Sequence, residues 1–311
     1  MIKTKKTIVT HSGTFHADDV FAVATLLLAH SEESFQIIRT RDEAVVSQGD
    51  FVVDVGGFYD GKKFFDHHQE GGAGVRENNL PYASFGLVWK EFGAEVCGGD
   101  FFVAKQIDDS LVSSMDAHDN GVKTYEELYS VSPFELSHYV SSFNPTWLEE
   151  EEWKDAREEK TLQIFENLVG WAREFILREI KRHKDKNKAF QLVKDAYAKS
   201  KDKRIIILDR YYPWQDALRE YQEPVFVVYP QEDGKSWAAK TVPKDRDSFD
   251  SKMLFPARWA GKRDAELARE TGVVDALFCH NKRFIATAKS YEGAFALAKL
   301  TLAKSVLDSI R

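Results

Sequence analysis

The sequence predicts an α/β protein in two domains: a mostly parallel sheet flanked by helices over residues 1–146, a helical linker over 147–189, and a smaller α/β domain over 190–311. Three observations predict it. Short β-branched runs alternate with Ala- and Leu-rich stretches through the first half, the pattern of strand–helix–strand units and a parallel sheet. A block crowded with Glu, Lys and Arg then interrupts, with apolar residues at near-helical spacing. Strand-like runs resume after it. The chain has 311 residues, 43% of them apolar and 13% aromatic, enough to fill two cores and too many for disorder.

Taken in order, residues 8–10 form a short β-branched strand, and 11–16 a loop containing Gly13. Asp18 or Asp19 can cap a helix whose body is 20–30. Residues 35–39 are a second strand. The run 51–57 is a buried strand ending in a Gly turn, and 62–65 a further strand leading into Asp66, His67 and His68. Helices are expected at 83–92 and 103–116. Between 147 and 188, Trp153, Ile164, Leu168, Trp171, Phe175 and Ile176 mark one or two long amphipathic helices. Strands follow at 204–208, 224–229 and 236–241, then a helix at 263–271, strands at 276–279 and 284–287, and a last helix at 291–310. No internal repeat or low-complexity segment is visible.

The longest apolar run, 20–29, is about half of the roughly 18–20 residues a membrane span needs. Residues 1–6 are basic but pass directly into a strand, so neither signal nor transit peptide is visible, and the expected location is cytoplasmic. Cys97 and Cys279 lack a CxxC spacing and are expected as reduced thiols. The net charge of −7 hides a split: residues 1–150 hold 11 Lys and Arg against 24 Asp and Glu, and residues 151–311 hold 32 against 26. An acidic half beside a basic one suits a protein that holds cations in one and receives a polyanion with the other, though two ordinary solvated surfaces can also differ this way.

Four of the nine histidines sit at 11, 16, 67 and 68, each pair beside carboxylates, Asp18 and Asp19 in one case and Asp66 in the other. These segments, and Asp54, fall where expected strands end, and in an open parallel sheet such loops converge on one crevice. Imidazole with carboxylate is the donor mix for Mn²⁺, Zn²⁺, Fe²⁺ or Co²⁺, and the absence of Cys argues against a structural zinc site. A carboxylate such as Asp54 can bridge two ions, the arrangement used for in-line displacement at phosphorus. Taken singly, His11 and His16 read as loop or capping residues and Asp54 as a turn residue. Two histidines at a strand end, after an acid, are harder to place in a packing role.

The blocks THSGTFHADD (10–19), FVVDVGGFYDGKKFFDHHQ (51–69), PYASFGLVWKEFG (81–93), DAHDNG (116–121), LDRYYPW (208–214), FPARWAG (255–261) and ALFCHNKRFIATAKSYEGAFALA (276–298) run nearly end to end. Their joint pattern closely resembles the Myg (melanocyte-proliferating-gene) exonuclease family, related to the DHH phosphoesterases. The resemblance implies a DHH-type catalytic domain, a linker and a C-terminal substrate-binding domain. It implies that His11, His16, Asp18, Asp54, His67 and Asp116 ligate a pair of ions, expected as Mn²⁺ with Mg²⁺, Co²⁺ or Zn²⁺ as alternatives. Asp54 would be the bridge, Asp66 would orient His67, and His68 would face the substrate phosphate. Most DHH enzymes carry a His and two aspartates in the first motif; here, as in the Myg group, His16 replaces the first acid. Asp119 is placed to share or take the role of Asp116, while Asp19 is read as starting the helix.

In the C-terminal half the resemblance implies that the turn of His280, Asn281, Lys282 and Arg283 meets the substrate backbone, with Lys289 a further candidate. Two cations and a His between short strands also read as a phosphate clamp on their own, or as a solvated hairpin tip. Trp214 and Trp259 read as core before they read as stacking platforms. The activity expected is a Mn²⁺-dependent 3′–5′ exonuclease acting on single-stranded RNA or short oligonucleotides, without an organic cofactor. Two rivals stay open: a phosphohydrolase of pyrophosphate, a nucleoside phosphate or a cyclic dinucleotide, and a non-catalytic metal-containing binding protein. Oligomeric state is not legible.

Overall fold

The computed structural model describes residues 5–232, 234–244 and 250–308. The chain divides into two compact units, Met1–Lys184 and Asp185–Arg311. In the first, strands β1 (Lys6–Thr10), β2 (Phe35–Arg39), β3 (Phe51–Val53) and β4 (Phe64–Phe65) form one wholly parallel sheet in the order β2-β1-β3-β4. Helices α1 (Ala17–Ala29), α2 (Glu43–Val46), α3 (Ser84–Val96), α4 (Phe101–Ile107), α5 (Ser113–Asp119), α6 (Leu136–Ser141) and α7 (Trp147–Trp153) accompany it. The α/β class with a parallel sheet is as the sequence predicts.

Beyond Asp18 and Asp19 helix α1 carries no charged residue, and it is buried from Ala17 to Leu26. Its first turn is capped by His16, whose backbone N–H donates to Asp19 Oδ1 at 2.9 Å. Phe21, at its centre, meets Phe85 of α3, Trp171 and Phe175 with ring centroids 5.5–6.0 Å apart. The expected helix 103–116 is two helices, α4 and α5, joined by a wider π-helical turn at Asp108–Val112.

The charged block is one helix, α8 (Arg157–Lys199), preceded by α7; it runs past residue 188 because no Gly or Pro stops it there. Phe165, Leu168, Ala172 and Ile176 belong to the core of the first unit, and Val193 to a core of the second. The second unit holds a five-stranded mixed sheet, β5 (Ile205–Ile207), β6 (Phe226–Pro230), β7 (Trp237–Thr241), β8 (Ala276–Cys279) and β9 (Ile285–Ala288), in the order β5-β6-β7-β9-β8. Only β5 and β6 pair in parallel. Helices α9 (Gln215–Arg219), α10 (Asp264–Thr271) and α11 (Tyr291–Asp308) complete it. Gly272 ends α10 at φ 77°, the left-handed residue that closes a helix. The end of the expected last helix, 309–310, lies outside the described residues. No helix of the described residues is long and apolar enough to cross a membrane.

Candidate metal centre

Three of the four parallel strands end in the residues the sequence singles out. β1 runs into His11, β3 into Asp54, and β4 into Asp66, His67 and His68. The sheet order reverses at β1, with β2 on one side and β3 and β4 on the other. Connections therefore leave in opposite directions and open a crevice at the carboxyl ends of the strands. The loop into α1 is fixed from afar: Arg39 donates to Gly13 O at 2.8 Å, and the Asn144 amide both accepts from Phe15 N–H and donates to Phe15 O at 2.9 Å. Asp54 holds φ 56°, a left-handed backbone that few residues besides Gly, Asn and Asp tolerate.

His11, His16 and Asp54 each bring one donor atom within 4.8 Å of the others, and Asp54, His67 and His68 do the same. Asp54 belongs to both groups. His11 Nε2 lies 3.1 Å from Asp19 Oδ2 and 3.3 Å from Asp54 Oδ2. His67 Nε2 lies 3.3 Å from Asp119 Oδ2 and 3.8 Å from Asp54 Oδ1. His68 Nδ1 is 2.9 Å from Asp66 Oδ1 and 3.4 Å from Asp54 Oδ1. The His68 side chain is 64% exposed, whereas those of His11 and Asp54 are 3% and 2% exposed.

Asp18 and Asp116 are spent differently. Asp18 accepts from the backbone N–H of Ser84 at 2.9 Å and of Phe85 at 2.7 Å, and Asp116 from that of Gly86 at 3.0 Å. They satisfy the first turn of α3, whose N–H groups have no partner inside the helix. Gly86 is required there, since a Cβ would stand 1.8 Å from Asp116 Oδ2. Asp116 is also paired with the buried Arg76 at 2.6 Å, and Arg76 binds Asp108 at 2.8 Å. Ser84 Oγ donates to Asp54 Oδ1 at 3.0 Å, which ties α3 to the centre.

So many buried acids disturb one another's titration. Burial alone would lower His11, yet the Asp19 and Asp54 carboxylates carry it up to about 10. Burial pushes the Asp54 carboxyl up, but His11 and His68 outweigh it and hold Asp54 well below the usual carboxylate range. Burial, then the charges of Asp119, Asp54 and Asp116, push Asp18 far upward. Burial and Asp54 raise Asp119, and burial takes Asp116 to about 7 despite Arg76. The cluster is short of positive charge and collects protons to compensate. His11 Nε2, Asp19 Oδ2 and His67 Nδ1 are buried without a directed hydrogen bond. Convergent nitrogen and oxygen donors with unused lone pairs fit divalent cations, which bind in place of those protons.

Of the residues expected at this centre, His11, His16, Asp54, His67 and His68 come together as donor groups, while Asp18 and Asp116 cap α3 beside them. Asp66 departs from expectation. Its Oδ1 meets His68, not His67, and its Oδ2 accepts from Gly57 N–H at 2.6 Å. Asp66 Oδ1 also accepts the His68 backbone N–H at 3.0 Å, a side-chain turn that draws these two residues together. Asp19, read only as the helix start, also turns its second oxygen to His11. Sequence reasoning missed Arg76, Ser84, Arg39 and Asn144, because no local pattern marks a residue that acts on one 26 to 129 positions away.

In the second unit His280–Arg283 form the tight turn between β8 and β9. His280 Nδ1 accepts from Lys282 N–H at 3.0 Å, and Arg283, at φ 59°, donates to Phe255 O at 3.3 Å. Asn281 and Lys282 are exposed. Lys289 follows the far end of β9, roughly 16 Å along the strand, so it does not belong to the turn. Trp214 and Trp259 are fully buried core residues.

A parallel α/β unit with a buried His–Asp cluster at its strand ends defines a protein with a candidate metal centre. The chain belongs to the family whose model, MYG1_exonuc, described as an uncharacterised protein family (UPF0160), matches residues 7–302. It is 32% identical over 325 residues to the MYG1 protein of Schizosaccharomyces pombe, covering 95% of this chain and 97% of that one. It is 31% identical over 328 residues to the human MYG1 exonuclease, covering 95% and 85%, and 29% identical over 330 residues to a MYG1 protein of Saccharomyces cerevisiae, covering 97% of each.

Proposed function

We propose that this chain is a Mn²⁺-dependent phosphodiesterase that removes nucleotides from the 3′ end of single-stranded RNA or short oligonucleotides. One observation carries the reading: the Asp54 carboxylate is shared by two donor groups, His11 with His16 and His67 with His68. The exonuclease name of the human relative supports the same class. In this reading His11, His16 and Asp54 hold one ion, and Asp54, His67 and Asp119 the other, with Asp19 close to the first. Asp18 and Asp116 act from behind, through the start of α3 and the Arg76 pair. When bound, a divalent pair supplies Lewis acidity at the phosphoryl oxygens and lowers the pKa of a water.

The chain's own groups do the rest. His68 hydrogen-bonds to Asp66 through Nδ1, which leaves Nε2 to donate to a phosphate oxygen. Hydrogen bonding to Asp54 and then Asp66 raises His68 to about 9, and its ring N–H can donate where negative charge develops. Asp66 fixes its ring, and Gly57 N–H fixes Asp66. The exposed Asn281 and Lys282 are assigned to the sugar–phosphate backbone, which they would engage without reading sequence.

The test is a 5′-labelled single-stranded RNA incubated with Mn²⁺. A ladder of labelled products shortening one nucleotide at a time is expected, and Asp54→Asn should remove it. Immediate release of a labelled mononucleotide would reverse the polarity. Faster turnover of pyrophosphate than of RNA would replace the reading with a small-molecule phosphohydrolase.

A further inference from the structure

Outside the centre just described, His118, Glu135 and His138 also bring one donor atom each within 4.8 Å of the others. His118 lies near the end of α5. Glu135 caps the start of α6, and His138 follows it by three residues, the spacing that puts a carboxylate and an imidazole on one helix face. His118 Nδ1 is 2.8 Å from Glu135 Oε2, and the His118 and His138 rings lie 5.0 Å apart at 83°. The His118 and Glu135 side chains are 38% and 22% exposed, so an ion from solvent can reach them. Both helices are anchored: Val140 of α6 and Met115 of α5 are buried in the first unit's core. Donors on packed helices keep their mutual positions.

We infer that His118, Glu135 and His138 form a separate divalent-cation site of the zinc type, which clips together the two ends of the segment 119–134. Two imidazoles and one carboxylate, with a coordination position left to water, are a zinc donor set. An exposed ion pair of His118 with Glu135 contributes little on its own, and His138 is held beside it by capping the start of α6. The clipped segment has reason to need tying: Leu128, Tyr129, Val131 and Phe134 on it are 72–87% exposed. His118 also precedes Asp119, which faces His67 at 3.3 Å, so the clip holds the backbone that carries Asp119.

The site carries a cost. His138 Nδ1 accepts the Glu135 N–H at 3.0 Å, and an ion taken through that nitrogen replaces this bond at the helix start. The ion is therefore held more weakly than one at the buried centre, and a chelator strips it first. The inference does not rest on the phosphodiesterase reading.

The experiment uses the full chain with Asp54→Asn as background, which breaks the buried donor groups, and zinc chloride as probe. Zinc retained on equilibrium dialysis is compared between that background and the same chain carrying His118→Ala or His138→Ala, with far-UV circular dichroism to confirm folding. Chymotryptic cleavage within 119–134 is followed with and without zinc. The background chain should retain one more zinc than either variant, and zinc should slow its cleavage about tenfold while leaving the variants unchanged. Equal zinc in all three chains overturns the site. Retained zinc with unchanged cleavage overturns the clip.

Discussion

The carboxyl edge of the parallel sheet and the hairpin turn at 280–283 both gather histidine and charge, but they spend free energy differently. At the sheet edge Asp18, Asp19, Asp54, Asp66 and Asp116 are at most 4% exposed, with Arg76 the one buried Arg or Lys among the described residues. Burying one uncompensated ion costs several kcal/mol, so that cluster exists only with cations or protons among its acids. At the turn Lys282 stands in water, where its charge costs nothing. A buried charge cluster therefore constrains what the protein binds far more than a solvated one does.

The largest expected effects separate the acids inside the first region. Asp119→Asn should leave the urea midpoint nearly unchanged but weaken Mn²⁺ binding and hydrolysis by about a hundredfold, since it removes a donor beside His67. Asp116→Asn should do the reverse. It strips Arg76 of one of two partners and should cost about 3 kcal/mol in urea unfolding, with activity per folded molecule held within about threefold. If Asp116→Asn instead destroys metal binding at unchanged stability, Asp116 returns to the ligand set that the family likeness implies, and α3 loses its proposed supporting role.

A smaller effect tests the second region. Lys282→Ala should raise KM for an oligonucleotide about tenfold and flatten its salt dependence, with little change in kcat, as expected for removal of a phosphate contact. Lys289→Ala, at the other end of β9, should leave both within about twofold. Equal effects from the two lysines would dissolve the turn as a distinct site and leave only a diffuse basic surface.

How much of this was legible follows the same division. The strand ends at His11, Asp54 and Asp66 were readable, because β-branched runs broken by polar residues report directly on the backbone. That Asp66 serves His68 and not His67 was not readable, because it rests on a turn after β4 in which the same carboxylate oxygen accepts the His68 N–H. The capping of α3 by Asp18 and Asp116 was not readable. It depends on where helices α1 and α5 come to lie, which no local pattern encodes. Helices α2, α6 and α9 escaped notice since four to six residues are too few to show a helical period. Gly170, inside the long charged helix, has open space around it and neither breaks nor ends that helix.

The smallest effect compares the two units through their buried thiols, Cys97 in the core of the first and Cys279 in that of the second. Burial pushes each thiol up to about 11, from an ordinary value of 9.0. A folded pKa raised above the unfolded one means that the native state binds the proton more tightly, so the stabilisation is complete below pH 9 and is lost as pH rises toward 11. Each thiol should thus remove about 1 kcal/mol of stability between pH 9 and 10. Tyrosines and lysines titrate in the same range, so the measurement is the difference in urea midpoint between the native chain and Cys97→Ala or Cys279→Ala, followed from pH 8 to 10. The gap should narrow with pH for both variants and by similar amounts, because desolvation does not depend on which core encloses the sulfur. Adding Mn²⁺ should slow thiol labelling of Cys97 and spare Cys279, since only the first unit contains the proposed donors; equal slowing of both would show that the units open as one.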